Sequence, residues 1–140
     1  MESAANRQIP PMSNLHATIN GYFEAIRNND RQAWLDTFSD DPALVHIDPV
    51  GAPARNTKSE IGAFWDQLHQ LFDQVSLQVV KIHPGLPNQV ALTWVGQGTG
   101  KNGVAVQFEG IDLIQGDDHG KILRLDAYWD ANATLARLMT

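Results

Sequence analysis

Two acids and a tyrosine are the residues whose types and settings could carry chemistry. Asp112 stands on a run from Val104 to Ile114. Side chains alternate along a strand, so Val104, Val106, Phe108, Gly110, Asp112 and Ile114 share one face. That face is mostly apolar and is expected to point inward. A carboxyl group there is costly to ionise and stays protonated, which makes it a hydrogen-bond donor. The competing reading is a carboxylate that reaches solvent or pairs with Arg124. Asp48 ends the apolar run Leu44 to Ile47 and precedes Pro49. Loops at strand ends often hold catalytic groups, although Asp-Pro also starts ordinary turns. Tyr22 falls in the apolar stripe of a helix, where its ring packs and its hydroxyl needs a wet edge or a partner.

Elements must position these groups. Leu15, Ile19, Tyr22, Phe23 and Ile26 recur at helical spacing, which predicts a helix from Ser13 to about Asn28. A short second helix follows, with Asp30 as N-cap and Ala33, Trp34 and Phe38 on its apolar side. Thr57-Lys58-Ser59-Glu60 is a capping-box sequence. It opens a third helix with a stripe of Ile61, Phe64, Trp65, Leu68, Leu71 and Phe72. Strands are expected over Leu77–His83, Gln89–Thr99, Val104–Ile114 and Ile122–Trp129, with Gly- and Asn-containing turns between them. The tail from Ala131 to Met139 can form a short helix. Helices followed by a run of antiparallel strands predict an α+β fold with helices on one face of a curved sheet. Residues 1–12 read as a loose extension and residues 13–140 as a single domain.

Composition narrows the function. The 140 residues are 43% hydrophobic and carry a formal net charge of −6, with no cysteine. Acidic chains without clustered Lys and Arg are poor partners for nucleic acid or anionic membrane. Disulfides and thiolate chemistry are excluded. No apolar run is long enough to span a bilayer, and the N-terminus lacks the order of a signal peptide, so a cytoplasmic location is expected. His16, His46, His69, His83 and His119 lack zinc-site spacing, and His46 with Asp48 supplies only two ligands, so no metal and no cofactor are expected. Gly96-Gln97-Gly98-Thr99-Gly100-Lys101 lacks the spacing and context of a phosphate loop and reads as a strand running into a hairpin.

Taken together, Tyr22, Ser39-Asp40-Asp41, Asp48-Pro49-Val50-Gly51, Ile111-Asp112 and Ala127-Tyr128-Trp129 resemble the bacterial ketosteroid isomerases (steroid Δ5-isomerases). These belong to the nuclear transport factor 2-like, or SnoaL-like, superfamily. The likeness runs from about Ile19 to Asp130. Its most specific stretch is Asp-Pro-x-Gly leading to Glu60-Ile61-Gly62-Ala63-Phe64. The resemblance implies a cone, a curved antiparallel or mixed sheet wrapped around three N-terminal helices over a deep apolar pocket. It gives Asp48 the role of general base, and Tyr22 with Asp112 that of donors to a dienolate oxygen. Such a protonated acid is a known device of that family. Trp129 matches an aromatic that positions the base through its indole N–H. Phe38, Phe64, Trp65, Trp94, Phe108, Leu125 and Trp129 are the expected walls of a site for a small apolar molecule, a steroid or a similar planar ketone. A homodimer is also implied. Phe38 and Trp65 stand where the isomerases place further tyrosines behind the oxyanion tyrosine. Phe38 has no hydroxyl, and Trp65 can donate but not relay. Two other readings use the same fold: a polyketide-cyclase or dehydratase relative with His46 and Asp48 as an acid–base pair, and a non-catalytic carrier of small apolar ligands.

Overall fold

A computed structural model describes residues 10–140. The first helix, α1, spans Pro10–Arg27, α2 spans Arg31–Leu35, and the short strand β1 spans Val45–Ile47. Helix α3 covers Lys58–Leu71. Strands β2 (Phe72–Gly85), β3 (Gln89–Gly100), β4 (Ala105–Gly116) and β5 (Ile122–Trp129) follow, and α4 (Ala131–Leu138) closes the chain. The five strands form one sheet in the order β1-β5-β4-β3-β2. Neighbours from β2 to β5 are antiparallel, while β1 runs parallel to β5. The fold is α+β, with helices first and a curved, open, mixed sheet after them.

The local sequence explains most of these boundaries. Leu15, Ile19 and Phe23 on α1 are at most 2% exposed. Each contributes roughly 1.5–3 kcal/mol through burial. Helix α1 begins at Pro10 rather than Ser13, because proline is well suited to a first helical turn. The loose extension expected over residues 1–12 therefore loses its last three residues to the helix, and the rest lies outside the described residues. Asp30 caps α2 by accepting from the Ala33 N–H at 3.0 Å. At α3 the Thr57 hydroxyl accepts from Glu60 N–H at 3.1 Å, and the Glu60 carboxylate accepts from Asn56 N–H at 2.9 Å. The capping box thus closes one residue early.

Phe72 is the clearest departure from the helical stripe. It leaves α3 for an extended backbone and starts β2 with no loop between. Val75 and Leu77 then alternate with polar Gln74, Ser76 and Gln78, so the strand begins five residues before the expected Leu77. The main core lies between α1–α3 and the inner face of the sheet. A smaller cluster of Phe72, Val106 and Leu138 seats α4 against the far end. Among the described residues no helix is long and apolar enough to cross a membrane.

Candidate active site

Sheet register brings the two acids together. Asp112 on β4 pairs with Ala127 on β5. Ile47 on β1 pairs with Asp126, so the next residue, Asp48, comes level with Ala127 from the other side. The Val50 N–H donates to the Ala127 carbonyl at 2.8 Å and fixes the chain just beyond. Two strand spacings separate the acids, roughly 10 Å between backbones. The residue between them is a buried alanine.

Each carboxyl holds one indole. Trp129, at the end of β5, donates from Nε1 to Asp48 Oδ1 at 2.7 Å. Trp94, on β3, donates from Nε1 to Asp112 Oδ1 at 3.0 Å. Gly110 makes the second bond possible. It pairs with Trp94, and a Cβ there would overlap the Trp94 ring. With no side chain at 110, the indole lies across β4 and reaches Asp112 two residues on. In both acids the second oxygen is left for chemistry.

Tyr22, Asp48 and Asp112 line one cavity with Phe64, Trp65 and Trp129. About 70 Å³ of it can take the centre of a water-sized sphere, within about 600 Å³ of atom-free space that includes open solvent. A single water needs only about 10–15 Å³ by that measure, so the interior is a narrow slot and not a filled core. Its helical wall is a ladder of rings. Tyr22 meets Trp34 at 5.8 Å between centroids, Trp34 meets Trp65 at 5.0 Å, and Trp65 stacks on His69 at 4.3 Å. Its sheet wall is a triangle of Trp94, Phe108 and Trp129 with centroids 5.3 to 6.2 Å apart.

Burial sets the charges. It raises the Asp48 carboxyl to about 6, while the Trp129 N–H and the Arg55 charge restrain the rise. Arg55 is held nearby, with its guanidinium 4.2 Å over the Phe64 ring and Nη1 donating to the Asp48 carbonyl at 3.3 Å. Asp112 is pushed further, to about 8, first by burial and then by the Asp48 charge, against the Trp94 N–H. At neutral pH Asp48 is a carboxylate and Asp112 an acid with one O–H to donate. Burial, reinforced by the charges of Asp112 and Asp48, holds the Tyr22 hydroxyl well above its ordinary value. The Trp34 N–H works the other way but meets no acceptor in hydrogen-bond geometry, so Tyr22 too stays a donor.

The structure places other expected residues differently. Arg124 pairs with Asp126 at 3.0 Å, so the alternative partner for Asp112 is occupied elsewhere and Asp112 is 2% exposed. Phe38 and Leu125 are core residues at 1% and 0% exposure and do not line the cavity. Phe38 packs edge-on behind Tyr22 at 6.0 Å. His46 is also absent from the cavity wall. Its ring sits among Trp34, Phe38 and Phe64 with both nitrogens unpartnered. Nε2 stops 4.0 Å from Asp48 Oδ2. Burial and then the Arg55 charge push this imidazole down to about 3, so it is neutral. Among the described residues no group of three or more His, Asp or Glu side chains could hold a metal ion. Beyond the expected walls, Ile26, Trp34, Leu68, His69, Phe72, Val75 and Leu77 also line the cavity. The helical stripes mark Ile26, Trp34, Leu68 and Phe72 for burial without assigning them to a cavity. Nothing separated His69 from a surface residue of a last helical turn.

A helix-backed, curved mixed sheet over an apolar slot defines the class of protein, and comparison with known proteins defines the family. The SnoaL-like domain matches residues 19–125. The chain belongs to the SnoaL-like domain family, of nuclear transport factor 2-like fold. Solved structures agree on the fold. The Δ5-3-ketosteroid isomerase from Mycobacterium sp. is 23% identical, with a TM-score of 0.73 over 86% of this chain and 95% of that one. A Mycobacterium tuberculosis protein in complex with estradiol-17β-hemisuccinate is 19% identical, with a TM-score of 0.74 over 85% and 95%. The epoxide hydrolase/cyclase-like enzyme SalBIII of pyran ring formation in salinomycin is 18% identical, with a TM-score of 0.74 over 86% and 93%.

Proposed function

We propose that the chain is an isomerase that moves a carbon–carbon double bond into conjugation with a ketone, on a steroid or a similar flat apolar molecule. The observation that carries this reading is a pair of carboxyl groups on one apolar cavity, one ionised at neutral pH and one protonated. The Asp48 carboxylate takes a proton from the carbon between the ketone and the double bond. The ketone oxygen gains the electron pair as a dienolate, and Tyr22 and Asp112 donate hydrogen bonds to it. Asp48 returns the proton to the far carbon of the dienolate, which restores the ketone and leaves the base as it began. Donors fixed in a dry site stabilise the developing charge without reorganising. The ring ladder and the opposing triangle suit a flat substrate. A cyclase or dehydratase built on His46 with Asp48 is less well supported, because His46 does not face the cavity. The test is the conjugated-enone absorbance of a 5-ene-3-ketosteroid mixed with the protein. A gain that scales with enzyme is expected, and no gain at micromolar enzyme overturns the steroid reading.

A homodimer forms part of the proposal. The outer face of the sheet leaves Val95, Ile111, Leu113 and Tyr128 between 41% and 46% exposed, and Ile111 and Tyr128 are cross-strand partners. A second copy is the occupant we assign to that face.

A further inference from the structure

His69 is the one titratable side chain on the cavity wall that the proposed chemistry does not use. Its position is at the mouth. Ile26, His69 and Val75 line both the inner slot and the open cleft outside it, which continues over Asn29, Asp73 and Gln97. Ile26 is one helical turn along α1 from Tyr22, and the ring ladder that starts at Tyr22 ends on the His69 ring. A flat molecule lying along the ladder with its ketone on Tyr22 and Asp112 therefore points its other end at His69.

The ring's hydrogen bonding defines what it can recognise. Nδ1 lies 2.8 Å from the Trp65 carbonyl oxygen. A carbonyl only accepts, so Nδ1 carries the hydrogen. In the neutral ring Nε2 is then a bare acceptor. The stack on Trp65, with 19° between the planes, fixes the ring so that Nε2 is presented in one direction. Between this acceptor and the catalytic end, the lining is apolar side chains and indoles, of which Trp94 and Trp129 donate to the acids and Trp34 meets no acceptor.

We propose that His69 is a specificity-determining residue that accepts a hydrogen bond from a hydroxyl group at the end of the substrate remote from the reacting ketone. This rests on the proposed function and narrows its substrate class to flat hydroxy-ketones, with a terminal alcohol favoured over a terminal ketone. A ketone there faces the Nε2 lone pair with no proton between them.

Two phenols test the assignment without turnover. Estradiol and estrone share the phenol that suits the Tyr22–Asp112 end, and differ only in carrying a hydroxyl or a ketone at the other. Titration by fluorescence is expected to show estradiol bound about 10-fold more tightly, the worth of one hydrogen bond to a fixed acceptor. His69→Phe keeps a ring against Trp65 but removes the acceptor. In that variant the preference should fall below about 2-fold through weaker estradiol binding, with estrone unchanged. His69→Gln puts back an acceptor oxygen and should recover part of the preference. Equal binding of the two phenols by the unmodified protein, or a preference that survives in His69→Phe, overturns the role of His69 and leaves the isomerase reading standing. Binding of neither phenol counts against both.

Discussion

Asp48 and Asp112 differ less in chemistry than in address. Both are aspartates, both flank Ala127, and both accept one indole N–H on Oδ1. Yet one titrates at about 6 and the other at about 8. The hydrogen bonds do not explain the gap, since each favours the carboxylate. Surroundings do. Asp48 ends a short edge strand, is 8% exposed, and has Arg55 near its backbone. Asp112 sits inside a central strand, is 2% exposed, and feels the Asp48 charge. Ionising Asp112 in place costs on the order of 5 kcal/mol more than in water. A central strand and an edge strand thus give the same side chain two roles, donor and base.

The widest contrast lies between amide substitutions at the two sites. Asp48→Asn removes the base, and turnover of a 5-ene-3-ketosteroid should fall by about 10⁴-fold. Asp112→Asn keeps a donor in place of the carboxylic O–H and should cost only about 10-fold. Asp112→Leu removes the donor and should cost about 10²–10³-fold. Equal and total loss in both amide variants would erase the distinction between base and donor.

The pH dependence sharpens the same contrast. Activity needs Asp48 ionised and Asp112 protonated, so kcat/KM should rise through pH 6 and fall through pH 8, the two limbs belonging to the pair as a whole. In Asp112→Asn the alkaline limb should vanish and the acid limb stay near 6. Stability follows with a definite sign. The folded Asp112 holds its proton up to about pH 8, whereas the unfolded chain releases it near pH 4. Its favourable contribution is therefore complete below about pH 4 and lost as pH rises through 8. Melting temperature should decline over that window, and Asp112→Asn should flatten the decline.

Much of this was legible in the sequence, for identifiable reasons. The inward face of β4 follows from two-residue alternation, and α2 and α3 from their caps. The pairing of Asp48 with Asp112 across Ala127 is not readable from spacing, because it depends on a parallel register between strands far apart in the chain; the resemblance to a known family implies a shared site for the two acids but not this register. The Trp94–Asp112 bond was missed because it needs both a cross-strand register and the missing side chain at Gly110. Phe38 and Leu125, expected as cavity wall, lie in the core away from the slot. Apolar character marks a residue for burial but does not say on which side of a packed layer it ends. Nothing on its own helix marks His69; the slot's direction gives it a place.

The Trp129 indole should have a smaller effect than either acid. Trp129→Phe keeps the ring near Phe108 but leaves Asp48 Oδ1 without its donor. A lost bond to a charged group moves the acid limb up by roughly one pH unit, with kcat/KM at pH 7 down about 2-fold, a larger loss at pH 6 and little change at pH 8. The matching loss at Trp94 should move the alkaline limb instead, so the two indoles can be told apart by which limb shifts.

His46 is the smallest effect and the sharpest check on the edge-strand address. It is fully buried with both nitrogens unpartnered, which costs roughly 1–3 kcal/mol. Replacing it with leucine, of similar volume, removes that cost, and the melting temperature should rise by about 3 °C or more. If Asp48 owes its behaviour to burial, Trp129 and Arg55 alone, the pH profile of His46→Leu should match the parent. A shift of the acid limb in that variant would mean that the 4.0 Å gap between Nε2 and Oδ2 closes during turnover, and that the base is held from both oxygens while the donor acid is held from one.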